Sequence, residues 1–185
     1  MTGQTVPRAL FGRSDRTAVL RLEGPVRYTM ALALRAFVDD ALARAPAELV
    51  VVDLRATTFV DSTGLGLIAR LGRLALSRSG RRAVIVSGET DVMTVLRSAA
   101  LDVLFVVVEE PPGELPSELA EVPLLPPKGE ADAVGRVILD AHRDLAGLSK
   151  KNHDEYRGVI AALEVELAGA PLGPGQGTAS TDISA

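Results

Sequence analysis

Apolar residues recur along this chain in two rhythms, one with the period of a strand and one with the period of a helix. Thr17 to Leu22, "TAVLRL", alternates around Arg21 and predicts a strand. Gly24-Pro25 predicts a turn after it. Thr29 then stands as cap for a helix, "TMALALRAFVDDALARA", in which Met30, Leu34, Phe37, Val38 and Leu42 return every three or four positions until Pro46 closes it. Leu49 to Leu54, "LVVVDL", is a continuous β-branched run, as expected for a strand buried on both faces.

After a short interruption, Leu65, Ile68, Leu71 and Leu74 mark one side of a second helix that Gly80 ends, with Arg70, Arg73 and Arg78 off that stripe. "RAVIVSG" (82–88) predicts another buried strand. Thr90 to Ala99 predicts a short helix capped by Thr90, and Leu104 to Val108 a last strand, ended by Glu109-Glu110-Pro111-Pro112. Strands alternating with helices imply parallel pairing, right-handed crossovers and helices covering a central sheet. Residues 1–110 are therefore expected to form one α/β domain.

Beyond it the pattern changes. Residues 111–129, "PPGELPSELAEVPLLPPKG", have the Pro- and Glu-rich composition of a semi-rigid linker. Residues 130–169 predict a helical extension with two apolar stripes. One runs through Val134, Val137, Ile138, Ala141, Leu145 and Leu148, the other through Tyr156, Val159, Ile160, Leu163 and Leu167. Between them "SKKNHDE" lacks apolar residues, and Asn152 with Glu155 has the spacing of a capping box, so two helices, or one with a break, are expected in place of a single rod. These stripes predict packing on their own domain or on each other, with self-association or partner binding through the helices as the alternative. Residues 170–185, rich in Gly, Pro, Ser and Thr, predict a disordered tail.

Composition narrows the function classes. Aromatic residues are 3% of the chain, too few for base-stacking platforms, and the net charge of −4 offers no footprint for a phosphate backbone. No nucleic-acid partner is expected, and Arg70, Arg73, Arg78, Arg81 and Arg82 read as a solvated face. The absence of Cys excludes disulfides and thiol catalysis. No apolar run reaches the roughly 20 residues of a membrane span, and the N-terminal residues lack a secretory h-region. Those features predict a soluble, cytoplasmic protein with no membrane insertion.

No catalytic, cofactor or metal constellation stands out. His142 and His153 are eleven positions apart without other ligands, and both lie far along the chain from Ser62, which leaves that hydroxyl without an evident base. "DSTGLG" is not a nucleophile elbow, and "GLGLIARLG" fails dinucleotide-binding spacing. Asp39-Asp40 and the pair Asp53 and Asp61 have no metal-ligand grouping around them. The expectation is a protein that is not an enzyme.

One motif demands more. In "VVVDLRATTFVDSTGLGLIARLG" (50–72), Asp61 or Ser62 can cap a helix that begins near Thr63, which contributes about 1 kcal/mol. Capping alone leaves one of the two redundant. A hydroxyl at a helix start also tolerates an added anion, because unpaired N–H groups and the helix dipole favour negative charge there. A phosphate would bring roughly −1.5 to −2 charges, and its cost would fall on whatever binds that surface. An unpaired interfacial charge costs roughly 2–5 kcal/mol, enough to release a micromolar partner.

"VVVDLRATTFVDSTGLGLI" followed by "RRAVIVSGETDVMTVLRSAALDVLF" resembles the STAS domain of bacterial anti-sigma factor antagonists, over about Thr17 to Val108. The resemblance implies an α/β STAS-like fold with a central mixed sheet covered by helices, carrying a C-terminal helical extension. It maps the family's phosphorylated serine onto Ser62, with Asp61, Thr63, Gly64, Leu65 and Gly66 as signature positions at the partner-binding surface. Many members carry Gly-Glu-[Leu/Ile]-Asp after the first long strand. Here Gly24-Pro25-Val26-Arg27-Tyr28-Thr29 stands instead, without those acids and with Arg27 as a candidate contact. That segment and the tail "ILDAHRDLAGLSKKNHDEYRGVIAALEVEL" resemble a subgroup of longer proteobacterial anti-anti-sigma factors linked to motility and biofilm formation.

By this resemblance the unphosphorylated protein would sequester an anti-sigma factor, a serine kinase would switch it off, and a phosphatase would restore it. The alternative is a STAS scaffold subunit of a membrane lipid-transport complex, in which Ser62 is only a cap or contact residue.

Overall fold

A computed structural model describes residues 6–14, 16–44, 47–88, 91–124 and 131–169. Pro46, Thr90, the end of the linker (125–130) and the tail (170–185) lie outside the described residues. Seven strands and five helices follow one another as β1 (Arg8–Arg13), β2 (Thr17–Val26), α1 (Ala31–Arg44), β3 (Leu49–Asp53), β4 (Thr57–Val60), α2 (Ser62–Ser79), β5 (Ala83–Val86), α3 (Asp91–Ser98), β6 (Phe105–Val108), β7 (Ala120–Glu121), α4 (Ala131–Ala146) and α5 (Lys150–Gly169).

The sheet is mixed, in the order β6-β5-β3-β2-β1-β7, with β4 paired to β2 off that path. The apolar runs supply its parallel centre. Val51 lies opposite Val19 and Val84, and Val84 opposite Val106. The outer strands are antiparallel: β1 pairs with β2, and β7 with β1. Strand alternation sends the side chains to two cores. Leu20, Leu22, Val50, Val52 and Ile85 pack under α1, α2 and α3 with Leu34, Leu71, Met93 and Phe105. Val19, Val51, Val84 and Val86 form a smaller cluster on the other face, against Leu115 and Leu119.

Several expectations are corrected by these contacts. Gly24-Pro25 is not a turn; it is an irregularity inside β2, with Gly24 at φ 71°, where pairing shifts onto β4. Thr29 is not a cap, since it sits within a short 3-10 turn (Tyr28–Met30) that precedes α1. The segment predicted as a linker is part of the fold: Leu115 and Leu119 cover the second face of the sheet, β7 joins its edge, and the Val122 N–H donates to the Ala9 carbonyl. Helices therefore cover one face of the sheet and an irregular segment the other.

The extension forms two helices, as its stripes predict, but the join differs. The Asn152–Glu155 capping box is absent. Ser149 Oγ accepts from the Asn152 N–H at 3.1 Å, so Ser149 holds the start of α5. Asn152 points inward, fully buried, and donates to the Ala99 and Leu145 carbonyls. Helix α4 lies on α2 and α1, and α5 packs on α4. No helix among the described residues is long and apolar enough to cross a membrane.

Candidate functional site

Strand β4 delivers the chain to the start of α2, and the Asp61 N–H donates to the Val26 carbonyl, which fixes the corner to β2. Asp61 is the N-cap. Its Oδ1 accepts from the Gly64 N–H at 2.8 Å, and its Oδ2 from the Tyr28 N–H at 2.8 Å. One carboxylate thus serves a free helix donor and ties the β2–α1 connection to the same corner. Gly80, at φ 68°, ends the helix as expected.

Because Asp61 holds the cap, the Ser62 hydroxyl is left for another partner. Ser62 is the first residue of α2 and is half-buried. Its Oγ lies 3.0 Å from His142 Nε2, on α4, eighty positions away in sequence. His142 Nδ1 lies 2.8 Å from the Ile138 carbonyl, which can only accept, so the ring carries its proton on Nδ1. In the neutral ring Nε2 is then an acceptor, and the serine donates to it. The expectation that Ser62 lacks a base within reach is corrected here: chain distance concealed a contact made by the packing of α4 on α2.

His142 is 5% exposed and meets Tyr156 of α5 edge-on, with ring centroids 5.6 Å apart. His153, by contrast, is exposed beside Asp154. Helix α4 is drawn onto α1 and α2 by charge as well as shape. Arg35 reaches Asp140 at 2.6 Å, Arg73 reaches Asp144 at 3.4 Å, and Arg73 also donates to the Asp144 carbonyl. Arg70 binds Asp39 through two hydrogen bonds. Arg70 and Arg73 are thus ties between helices and not a solvated face. Burial raises the Asp144 carboxyl above its ordinary range, outweighing the attraction of Arg73 and Arg70.

The other signature residues separate into two groups. Thr63, Gly64, Leu65 and Gly66 are buried. A Cβ at Gly66 would collide with the Ala141 backbone of α4, and one at Gly64 would stand 2.9 Å from the Val26 side chain, so these glycines permit close approach of neighbouring elements. Arg27 is exposed, its guanidinium 4.7 Å from the centroid of the Phe59 ring. Tyr28 is 51% exposed and Phe59 44%. In a chain with only two Tyr and four Phe, two of the six stand exposed at the corner that holds Ser62.

Sequence reading missed Tyr28, Phe59 and His142. For His142 a signal existed: it is a polar residue on the apolar stripe of α4, between Ile138 and Leu145, and such a residue needs a buried partner. Asp53, at the end of β3, is 1% exposed. Burial pushes its carboxyl up, yet hydrogen bonds from Arg55 and Arg21 hold it below the usual range, a structural ion cluster at the C-terminal end of a central strand. Among the described residues no group of His, Cys, Asp and Glu could hold a metal ion.

A mixed sheet whose four-residue β4, paired to β2 off the main path, leads into the helix that Ser62 begins is an α/β fold with that serine at a helix start. The STAS domain family matches residues 11–111, and the chain belongs to that family. Among solved structures the chain is similar to an anti-sigma factor antagonist from Mycobacterium paratuberculosis, with 20% identity and a TM-score of 0.48, covering 58% of this chain and 87% of that one. No curated protein is significantly similar to the chain.

Proposed function

We propose that this protein is an anti-sigma factor antagonist whose binding surface is switched by phosphate on Ser62. The observation that carries the reading is the division of labour at the start of α2. Asp61 does all the capping, so the Ser62 hydroxyl is not needed by the helix. Around it stand Arg27, Tyr28 and Phe59, exposed side chains of the types that anchor protein interfaces. An anti-sigma factor would dock on this corner while Ser62 carries a hydroxyl. A serine kinase would form the Oγ–P bond as the bond from the ATP γ-phosphorus to its bridging oxygen breaks. ADP leaves, and the kinase's base takes the hydroxyl proton. A phosphatase reverses the state by hydrolysis.

The test combines co-purification from the native host with labelling. Lysate kinase and radiolabelled ATP are expected to label the wild type and not Ser62→Ala. Undiminished labelling of Ser62→Ala would overturn the site, and recovery of a membrane transporter in place of an anti-sigma factor would support the scaffold alternative.

The Ser62–His142 contact favours a second reading, since a hydroxyl bonded to an oriented imidazole is also the first requirement of a serine nucleophile. Its test is hydrolysis of p-nitrophenyl acetate. Turnover abolished in both Ser62→Ala and His142→Ala would establish it, and equal background rates in all three proteins would end it.

A further inference from the structure

We propose that α4 is a cap held on Ser62 in cis, and that phosphate on Ser62 and the docked position of α4 exclude one another. The inference deepens the phosphoacceptor reading and rests on it for its use in the cell. The contact that joins the two is the Ser62 hydroxyl donating to His142 Nε2. Phosphorylation replaces the proton that makes this bond. With Nδ1–H donating to Ile138, the Nε2 of a neutral ring then presents a lone pair to phosphate oxygens that also have only lone pairs, and the added group must find room where Ser62 Oγ already lies 3.0 Å from the ring. His142 is nearly inaccessible, so water cannot readily take the place of the lost donor.

Nor does the interface yield space by small adjustments. Gly66, one turn beyond Ser62, receives the Ala141 backbone so closely that even a methyl group would collide. Interfaces packed to this density move between discrete arrangements and do not deform smoothly.

The ends of α4 are held unequally, which gives the movement a direction. At its C-terminal end Leu145 is fully buried, and Asn152 binds both Leu145 and Ala99 across to the end of α3. From Asp132 to Arg136 no residue of α4 is buried. The hairpin of α4 and α5 would therefore swing about Asn152 as α4 leaves α2. A kinase would meet the hydroxyl only in the open state, so its rate follows the open fraction.

The test needs no kinase. Phosphoserine is incorporated at position 62 of the full chain by an expanded genetic code, and amide hydrogen exchange is followed over residues 131–146. The amides of α4 are expected to exchange at least tenfold faster than in the unmodified protein, while those of β3 and β5 keep their protection. Exchange of α4 that is unchanged or slower would overturn the proposal, slower exchange meaning that a protonated His142 grips the phosphate. Acceleration of every element alike would overturn it too, as global unfolding.

His142→Gln, which keeps a hydrogen-bonding side chain at the position, sharpens the result. Phosphoserine is expected to accelerate its α4 exchange by a smaller factor than in wild type, and an equal factor would remove His142 from the coupling. Failure of kinase labelling would sink the phosphoacceptor reading and leave this coupling standing. Unchanged exchange would do the reverse.

Discussion

Helix α4 buries Val137, Leu139, Ala141, His142 and Leu145, whereas the longer α5 buries Asn152 alone among its residues. Both helices come from stripes of similar apolar content, so their difference is one of position. The α4 stripe meets α2 and α1, where Gly66 permits backbone contact and Arg35 and Arg73 supply partners for Asp140 and Asp144. The α5 stripe packs chiefly on α4, and Tyr156, Ile160, Leu163 and Leu167 remain half-buried while Val165 is open to solvent. An apolar stripe predicts that a helix will pack; the neighbour it reaches decides how much stability follows. The same chain thus contains one helix that completes the domain and one that leans upon it.

That contrast can be broken at its strongest point first. Leu145→Ala is expected to destabilise the protein by about 2–5 kcal/mol, because a fully buried leucine leaves a cavity. Val165→Ala on α5 should change stability by no more than about 0.5 kcal/mol. Urea midpoints compare the two, and equal losses would abolish the distinction.

The glycines give the next test. Gly66→Ala should cost about 1–3 kcal/mol by overpacking against α4, seen as faster amide exchange in residues 131–146. Gly158→Ala on α5 meets nothing within 4 Å and should stabilise the helix by about 0.5–1 kcal/mol, read as a higher thermal midpoint. One substitution thus has opposite signs on the two sides of the hairpin.

Two carboxylates, Asp53 buried and Asp144 half-buried, extend the comparison to pH. Asp53 titrates below its unfolded value, so its stabilisation is present above about pH 3.8 and is lost as pH falls through the lower, folded value. Asp144 titrates above its unfolded value, so burying its charge opposes the docking of α4 at neutral pH. That opposition fades as pH falls through its raised value toward 3.8. Mild acid should therefore slow exchange in α4 slightly before stronger acid unfolds the sheet. Asp144→Asn should remove the first effect and leave the second.

Much of this architecture is visible in the residues themselves. The unbroken apolar runs at β3 and β5 could be little else, and Asp61 and Gly80 mark both ends of α2. What escaped depends on contacts between distant parts of the chain. β1, "RALFGR", carries arginines at both ends and a glycine, and becomes a strand because β2 offers it an edge. Gly24-Pro25 has the composition of a turn, yet it marks the place where β2 changes partners. At the site, Asp61 and Ser62 announce a helix start. Nothing local to either residue shows that His142 will arrive eighty positions later.

Strand β7 carries a consequence for how the domain can be divided. Residues 11–111 match the family, but they exclude three residues of β1 and all of β7. A chain cut at Pro111 would strip Leu115 and Leu119 from Val51 and Val86, and would leave the outer backbone of β1 unpaired. Exposed edges of that kind recruit other strands, so such a fragment should self-associate where the full chain does not need to. Light scattering of the two at equal concentration would show the difference. The stretch that matches the family is shorter than the unit these contacts hold together.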